Sequence, residues 1–427
     1  MNHQSSSEVT AVTLSNGLTV AAERLPAAQT VTLGAWVRCG TRDEPPHLAG
    51  VAHFIEHMAF KGSPRRDTLA LARAFETLGG TVDAYTTHEA TCFSLQVLPE
   101  HLDDGLDLLS ELLCDAAIEA EGVELEKQVV FEEIAESEDN PADIVQEVCA
   151  AAAWADHPLA RPVLGTRQSI AALAPEVVRA WRDSHYTGQR VLLAAAGAVD
   201  AEQLSRAAEH WLGRLPAVGE PPALVTPTFH PGPAARRAPT DQVHLCLAAA
   251  TGGAIDPDRH ALWVIDMLLG ATMSSRLFQE VRERRGLAYQ ISSSWQVQRD
   301  VGLLAIDAIA SPKHVAELLA VVRDETAAIA RDGVSEADLA WVKGYAVTTI
   351  RLAAESTSSQ MARLARSFFY EGRHVPLVET LAAIQALEAE DLLRAARRLL
   401  AGRPWVLAAV GPVTAKKADK WYEVIGS

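Results

Sequence analysis

Cysteine is scarce. Five thiols (Cys39, Cys92, Cys114, Cys149 and Cys246) are scattered through 427 residues, with no C-x-x-C pair among them. An odd, dispersed set excludes a disulfide framework and a thiolate metal site. Long apolar runs are missing too. The longest, Val191 to Val199, falls far short of the roughly 20 residues that a membrane-crossing helix needs. Basic residues are outnumbered, and the net charge is −17. That argues against nucleic acid as a partner, because phosphates call for clustered Lys and Arg, and it favours cationic peptides. The opening MNHQSSSEVT holds neither a basic segment nor an apolar core. No signal peptide and no membrane partner are expected, and a reducing, cytoplasmic location is the default. What the chain does have is 48% hydrophobic and 22% charged residues, which reads as globular. Its length exceeds one ordinary core and calls for two or more domains.

Proline marks the middle: Pro216, Pro221, Pro222, Pro227, Pro231, Pro233 and Pro239 crowd one stretch. Such density predicts an extended connector without regular helix or sheet. It divides the chain into residues 1–214, a linker over 215–240, and residues 241–427.

The two halves look related. Ile170 to Val199 aligns with Ile384 to Val413 without a gap, at a constant offset of 214. Leu173 meets Leu387, Val178 meets Leu392, Leu193 meets Leu407, and Gly197 meets Gly411. Each segment reads as an amphipathic helix followed by a buried strand. A strand–helix–helix–strand pattern also recurs. In the first half Val31 to Val37 leads to a helix near residue 53. A second helix from about Asp67 carries Leu71, Phe75 and Leu78, and a strand follows through Asp83-Ala84-Tyr85-Thr86. In the second half Val243 to Ala250 leads to an apolar helix around Trp263 to Leu269. A helix from Ser274 to Arg285 then stops at Gly286, before Leu287-Ala288-Tyr289. Both units place Ala-Tyr after a Gly-terminated helix. With hairpin signals such as Ser15-Asn16-Gly17, the expectation is α+β: two related α/β sandwich domains, each a sheet with helices packed on it, arising from internal duplication.

Only the first half carries His53-Phe54-Ile55-Glu56-His57. On a helix, positions four apart share a face, so two imidazoles can grip one metal ion, and zinc is the usual occupant. Glu56 would stand beside the metal, placed to take a proton from an attacking water. The order H-x-x-E-H inverts the commoner zinc-protease motif.

A catalytic zinc needs a third protein ligand. The acid-rich segment Glu121 to Asp139 offers candidates on a helix whose predicted core stripe is Leu125, Val129 and Ile134. Glu126 and Glu133, two turns apart, share a face but are separated by about 10 Å along the axis. One should bind the ion while the other orients a ligand from behind. Spacing does not choose between them, and Glu132 and Glu136 remain open.

Gly50 through Gly62, with the pentad at its centre, resembles the signature of the pitrilysin family of inverted zinc peptidases, which includes insulin-degrading enzyme and the mitochondrial processing peptidase. Glu126-Lys127-Gln128-Val129-Val130-Phe131-Glu132-Glu133-Ile134 is similar to the family's downstream element. The likeness continues through Asp139-Asn140-Pro141, His157-Pro158-Leu159, Gly165-Thr166, Ser274 to Phe278, and Arg282 with Gly286 to Tyr289, and so covers most of the chain.

The resemblance implies that His53, His57 and Glu133 bind one Zn2+ per chain, with Glu126 in support and Glu56 as the base. It implies that Arg282 and Tyr289, seven apart in the metal-free half, hold the substrate backbone and the developing oxyanion. It makes the strand around Ala84 an edge on which the substrate pairs. Asp83 stands where the family commonly has Asn. The implied activity is a zinc endopeptidase acting on short or unfolded peptides, leader or presequence-like ones included. The family joins four such domains around a chamber, so a chain with two implies a homodimer or a heterodimer with a related chain. A non-catalytic or partner-dependent subunit is the alternative.

Overall fold

Strand β3 (Val31–Val37) is buried along its whole length, as an interior strand covered on both faces must be. It lies within a six-stranded sheet whose other members are β1 (Glu8–Thr13), β2 (Thr19–Arg24), β4 (Val82–Thr86), β5 (Thr91–Val97) and β6 (Val191–Gly197). Their order is β1-β2-β6-β3-β5-β4, which leaves β4 at an edge. A second sheet contains β7 (Gly232–Arg237), β8 (Val243–Gly252), β9 (Ala288–Val297), β10 (Val301–Ala310) and β11 (Val406–Gly411), in the order β7-β11-β8-β10-β9. The structure is a computed structural model that describes residues 8–217, 224–400, 402 and 404–426. The amino-terminal residues before Glu8, and Pro221 and Pro222, lie outside the described residues.

The duplication is visible in the ladders. β2 pairs parallel with β6, which pairs antiparallel with β3, and β7 pairs parallel with β11, which pairs antiparallel with β8. Gly197 and Gly411 end the two equivalent strands with φ of 132° and 142°. A Cβ on Gly197 would sit 2.1 Å from the Thr30 carbonyl oxygen, and one on Gly411 would sit 2.5 Å from that of Gln242. The shared glycine is therefore a backbone requirement. The repeated Ala-Tyr, by contrast, is not a structural repeat. Counting from equivalent positions of β3 and β8, the counterpart of Ala84 is Ser293.

Each sheet is covered on both faces. In the first compact unit, helices α1 (Val51–Ala59), α2 (Thr68–Thr77), α3 (Leu102–Cys114) and α4 (Ala120–Asp139) pack on one face. The other face, with Trp36, Cys92, Leu192 and Ala194, receives helix Thr357–Glu371. In the second unit, helices Arg259–Leu269, Val315–Asp332, Ala389–Leu400 and Ala415–Gly426 cover one face. Helix α5 (Pro141–Trp154) covers Cys246, Ala248, Leu303 and Val406 on the other. The units are discontinuous in sequence. The first takes its described residues from Met1–Ile134, Pro162–Leu224 and Arg351–Val375, and the second from Ala135–Arg161, Val225–Ile350 and Pro376–Ser427.

Three local expectations need correction. The proline-rich stretch contains a strand, β7, which is tolerated because an edge strand leaves one side of its backbone unpaired. The predicted stripe of α4 is out of phase. Leu125 and Val129 are exposed, and the buried face is Val123, Glu126, Lys127, Val130 and Ile134. Positions nine apart lie on opposite sides of a helix, so Ile134 cannot share a face with Leu125. The helix expected from Ser274 to Arg285 is wound as a π-helix over Phe278–Arg284.

Candidate metal centre

Helix α1 starts from Gly50, which has φ of 91° and no side chain with which to cap. The cap comes from a distance. Glu44, buried, accepts from the amides of Gly50 and Ala52 at 2.8 Å each, which places negative charge on the helix N-terminus. Gly165 packs so closely behind that a Cβ would lie 2.3 Å from the Ala49 carbonyl oxygen, and Ser169 donates to that same oxygen at 2.7 Å. The helix bearing the pentad is thus fixed at its start by a remote carboxylate and a glycine contact.

His53 and His57 project from one face of α1, with ring centroids 4.5 Å apart. Glu133, on α4, faces both: its Oε2 is 3.9 Å from His53 Nε2 and its Oε1 is 3.6 Å from His57 Nε2. One ligand atom from each of the three residues lies within 4.8 Å of the others. Tetrahedral zinc, with bonds of about 2.0–2.2 Å, holds neighbouring ligand atoms roughly 3.4 Å apart. The set therefore needs only a small contraction to fit the ion. Glu133 Oε2 is buried without a hydrogen-bond partner, as expected of a lone pair meant for a cation. Two imidazoles and a carboxylate are a donor set suited to zinc. Glu132 and Glu136 are exposed on α4.

The two imidazoles are unlike in charge. Burial, and then the proximity of His57, pushes the His53 pKa down to about 4, which keeps its nitrogen lone pair available. Burial also opposes charge on His57, but Glu126 and Glu133 outweigh it and hold its pKa above the ordinary value. Glu126 bonds His57 Nδ1 at 2.8 Å and Lys61 Nζ at 2.6 Å. It works against its own burial to remain a carboxylate, its pKa lowered by His57 and Lys61. It thereby fixes which nitrogen of His57 faces Glu133.

Glu56 is held from β4, where Thr86 Oγ1 donates to its Oε2 at 2.6 Å. Burial raises the Glu56 pKa, and the Thr86 hydrogen bond partly opposes this. Ala84 is half-buried in the same edge strand. Arg282 and Tyr289 lie in the second unit and form a cluster of their own. The Arg282 guanidinium sits 4.5 Å from the Tyr289 ring centroid and 4.8 Å from that of Phe278, and Tyr289 is 77% exposed. Sequence reasoning gave no role to Thr86, Lys61 or Glu44. Lys61 carried a signal, since it lies one turn beyond His57. The glycine at the start of α1 hinted that a cap had to come from elsewhere. Thr86 carried none.

Residues 19–167 match Insulinase (Peptidase family M16), and residues 172–343 match Peptidase M16 inactive domain. A relative from Mycobacterium tuberculosis, named an uncharacterized zinc protease, is 37% identical over 411 residues, covering 95% of this chain and 94% of its own. The chain belongs to peptidase family M16. An M16 relative from Bacillus subtilis, also named an uncharacterized zinc protease, is 33% identical over 401 residues, spanning 94% of this chain and 97% of its own. Among solved structures, a peptidase M16 inactive domain from Pseudomonas fluorescens aligns with a TM-score of 0.90 at 21% identity, covering 96% of this chain and 99% of that one. A protease from Helicobacter pylori aligns with a TM-score of 0.87 at 20% identity, covering 95% and 100%. These two speak for the M16 fold. No helix among the described residues is long and apolar enough to cross a membrane.

Proposed function

We propose that this M16 chain is a zinc-dependent endopeptidase that hydrolyses short or unfolded peptides. The observation that carries the reading is the convergence of His53, His57 and Glu133 within 4.8 Å, with Glu56 one residue from a histidine of the set. Zinc held there would acidify water and draw charge from a peptide carbonyl. Glu56 takes a proton from the attacking water on its carboxylate and gives it to the leaving amine, so the base of the first step is the acid of the second. Burial raises its pKa, which helps it hold the proton between the two steps. The open edge of β4, with Ala84, offers backbone groups to an extended peptide. Arg282 and Tyr289 serve the substrate backbone and the oxyanion. The exposure of the Tyr289 side chain supports this, and the family resemblance assigns it. A homodimer, or a heterodimer with a related chain, would be the working assembly.

The test is the purified chain alone. It should carry one zinc by elemental analysis, cleave an unstructured peptide, and lose that activity to a chelator. Glu56→Gln should keep its zinc and lose about 10²- to 10⁴-fold in kcat. Wild-type cleavage by Glu56→Gln would overturn the mechanism. A zinc-loaded chain that cuts only with a second chain present would favour the partner-dependent subunit.

A further inference from the structure

The chemistry proposed above uses a carboxylate on α1 and a docking edge on β4, and one hydroxyl joins them. Thr86 Oγ1 donates to Glu56 Oε2 at 2.6 Å, and Thr86 is the last residue of the edge strand. We propose that Thr86 is a positioning residue for peptide hydrolysis: it ties the orientation of the Glu56 carboxylate to the strand on which the substrate backbone docks. The proposal rests on the reading of Glu56 as the proton acceptor and of β4 as the docking edge.

Three features support it. The first is the stiffness of the donor. A glutamate has several torsions to fix, whereas a β-branched threonine in a strand has a restricted χ1 and so presents its hydroxyl from a defined place. The second is that the donor is itself anchored. Thr86 pairs in register with Thr91, which is fully buried. The Thr91 hydroxyl lies 3.4 Å from that of Thr86 and donates to the Cys39 carbonyl oxygen at 3.1 Å. The Thr91 proton goes to Cys39 and the Thr86 proton to Glu56, so the two hydroxyls touch without a hydrogen bond, and what anchors the donor is the in-register pairing of β4 with the buried β5. The third is the stereochemistry left over. With Oε2 engaged by Thr86, Oε1 is the oxygen that exchanges the proton, first with water and then with the leaving amine. A carboxylate that rotated freely would spend much of its time out of reach of either.

The consequence reaches the substrate. Among the described residues, β4 is paired on one side only, by β5. A peptide that adds to the open side fixes β4 from both sides, and with it Thr86 and Glu56. Peptides long enough to pair along β4 should therefore gain in kcat, and not only in KM, over truncated ones. Binding energy from groups remote from the scissile bond then appears as rate.

The experiment compares a long and a truncated unstructured peptide on wild type, Thr86→Val, Thr86→Ser and Thr86→Ala. Valine keeps the branched shape and removes the donor. Thr86→Val should keep zinc content, thermal midpoint and KM, lose about 10- to 100-fold in kcat, and lose the kcat advantage of the long peptide. Thr86→Ser should restore most of both. Thr86→Ala guards against a fold disturbed by valine and must show the same loss. In metal-free protein with 13C-labelled glutamate, the Glu56 carboxyl resonance, assigned by its loss in Glu56→Gln, should move in Thr86→Val and return in Thr86→Ser. Wild-type kcat in Thr86→Val or Thr86→Ala, or an unmoved resonance, overturns the proposal. Glu56→Gln run in parallel separates the two failures. If it cleaves at the wild-type rate, the base assignment itself falls. If it is inactive while Thr86→Val is not, only the role of Thr86 falls.

Discussion

Two glutamates on one helix meet the same histidine from opposite sides, and their substitutions should separate cleanly. Glu133 faces the Nε2 atoms of both His53 and His57, whereas Glu126 reaches only Nδ1 of His57 and shares itself with Lys61. Glu133→Ala should abolish zinc retention through dialysis, read by elemental analysis, because two imidazoles alone make an incomplete site. Glu126→Gln should retain zinc but bind it about 10- to 100-fold more weakly in a chelator competition, because the charge that orients His57 is gone. Full occupancy in Glu133→Ala would transfer the ligand role elsewhere. The seven-residue spacing in sequence singles out this pair without ordering it, and leaves Glu132 and Glu136 open. The ordering depends on the height at which α4 crosses α1, which is a tertiary quantity. The same limit hid Thr86. A hydroxyl thirty residues from Glu56 becomes its neighbour only when β4 is laid beside α1.

At the level of elements, periodicity and alignment carried most of the fold. The offset of 214 between halves correctly paired Gly197 with Gly411, and the structure supplies the reason in two carbonyl oxygens that leave no room for a Cβ. Gly197→Ala and Gly411→Ala should each lower stability by about 1–3 kcal/mol in urea titrations, through positive φ and close approach. An unchanged midpoint would mean that the strand ends relax freely. Phase was less legible. Leu125, Val129 and Ile134 looked like a stripe because all three are apolar, but the ridge that packs contains Glu126 and Lys127, polar residues buried because they serve the site or a cap. The apolar helix Arg259–Leu269 conceals a similar exception in Asp266. Burial raises its pKa above the usual 3.8, against donors from Ser293 and the Trp295 backbone. A raised acid pKa means that the folded state holds the proton more tightly. Its stabilising effect is complete below the unfolded value and is lost as pH rises through the folded one. Asp266→Asn keeps an acceptor for Trp295 and can donate to Ser293. It should flatten the fall in stability as pH climbs from 4 toward neutrality, and an unaltered slope in urea midpoints against pH would assign that fall to other groups.

For the whole molecule, the sequence offered a cut at the prolines and two halves, and what it could not offer was the exchange of helices between them. Helix α5 precedes the cut yet covers the second sheet, and helix Thr357–Glu371 follows it yet covers the first. An amphipathic helix advertises that it will be buried, but its pattern does not say against which sheet. The exchange has a direct consequence for fragments. Residues 1–224 without Arg351–Val375 would expose a sheet face holding Trp36, Cys92, Leu192 and Ala194. Residues 225–427 without Ala135–Arg161 would expose Cys246, Ala248, Leu303 and Val406. Each uncovered face is the interior of a closed layer and should drive association or aggregation. Expressed alone, each fragment should aggregate or bind a hydrophobic dye. Coexpressed, a tagged first fragment should capture the second and retain zinc, because both restore the missing helix to the sheet it covers. A first fragment that is soluble, monomeric and cooperatively unfolding by itself would show that helix Thr357–Glu371 is dispensable to its sheet. The halves would then be domains in the simple sense that the prolines suggest.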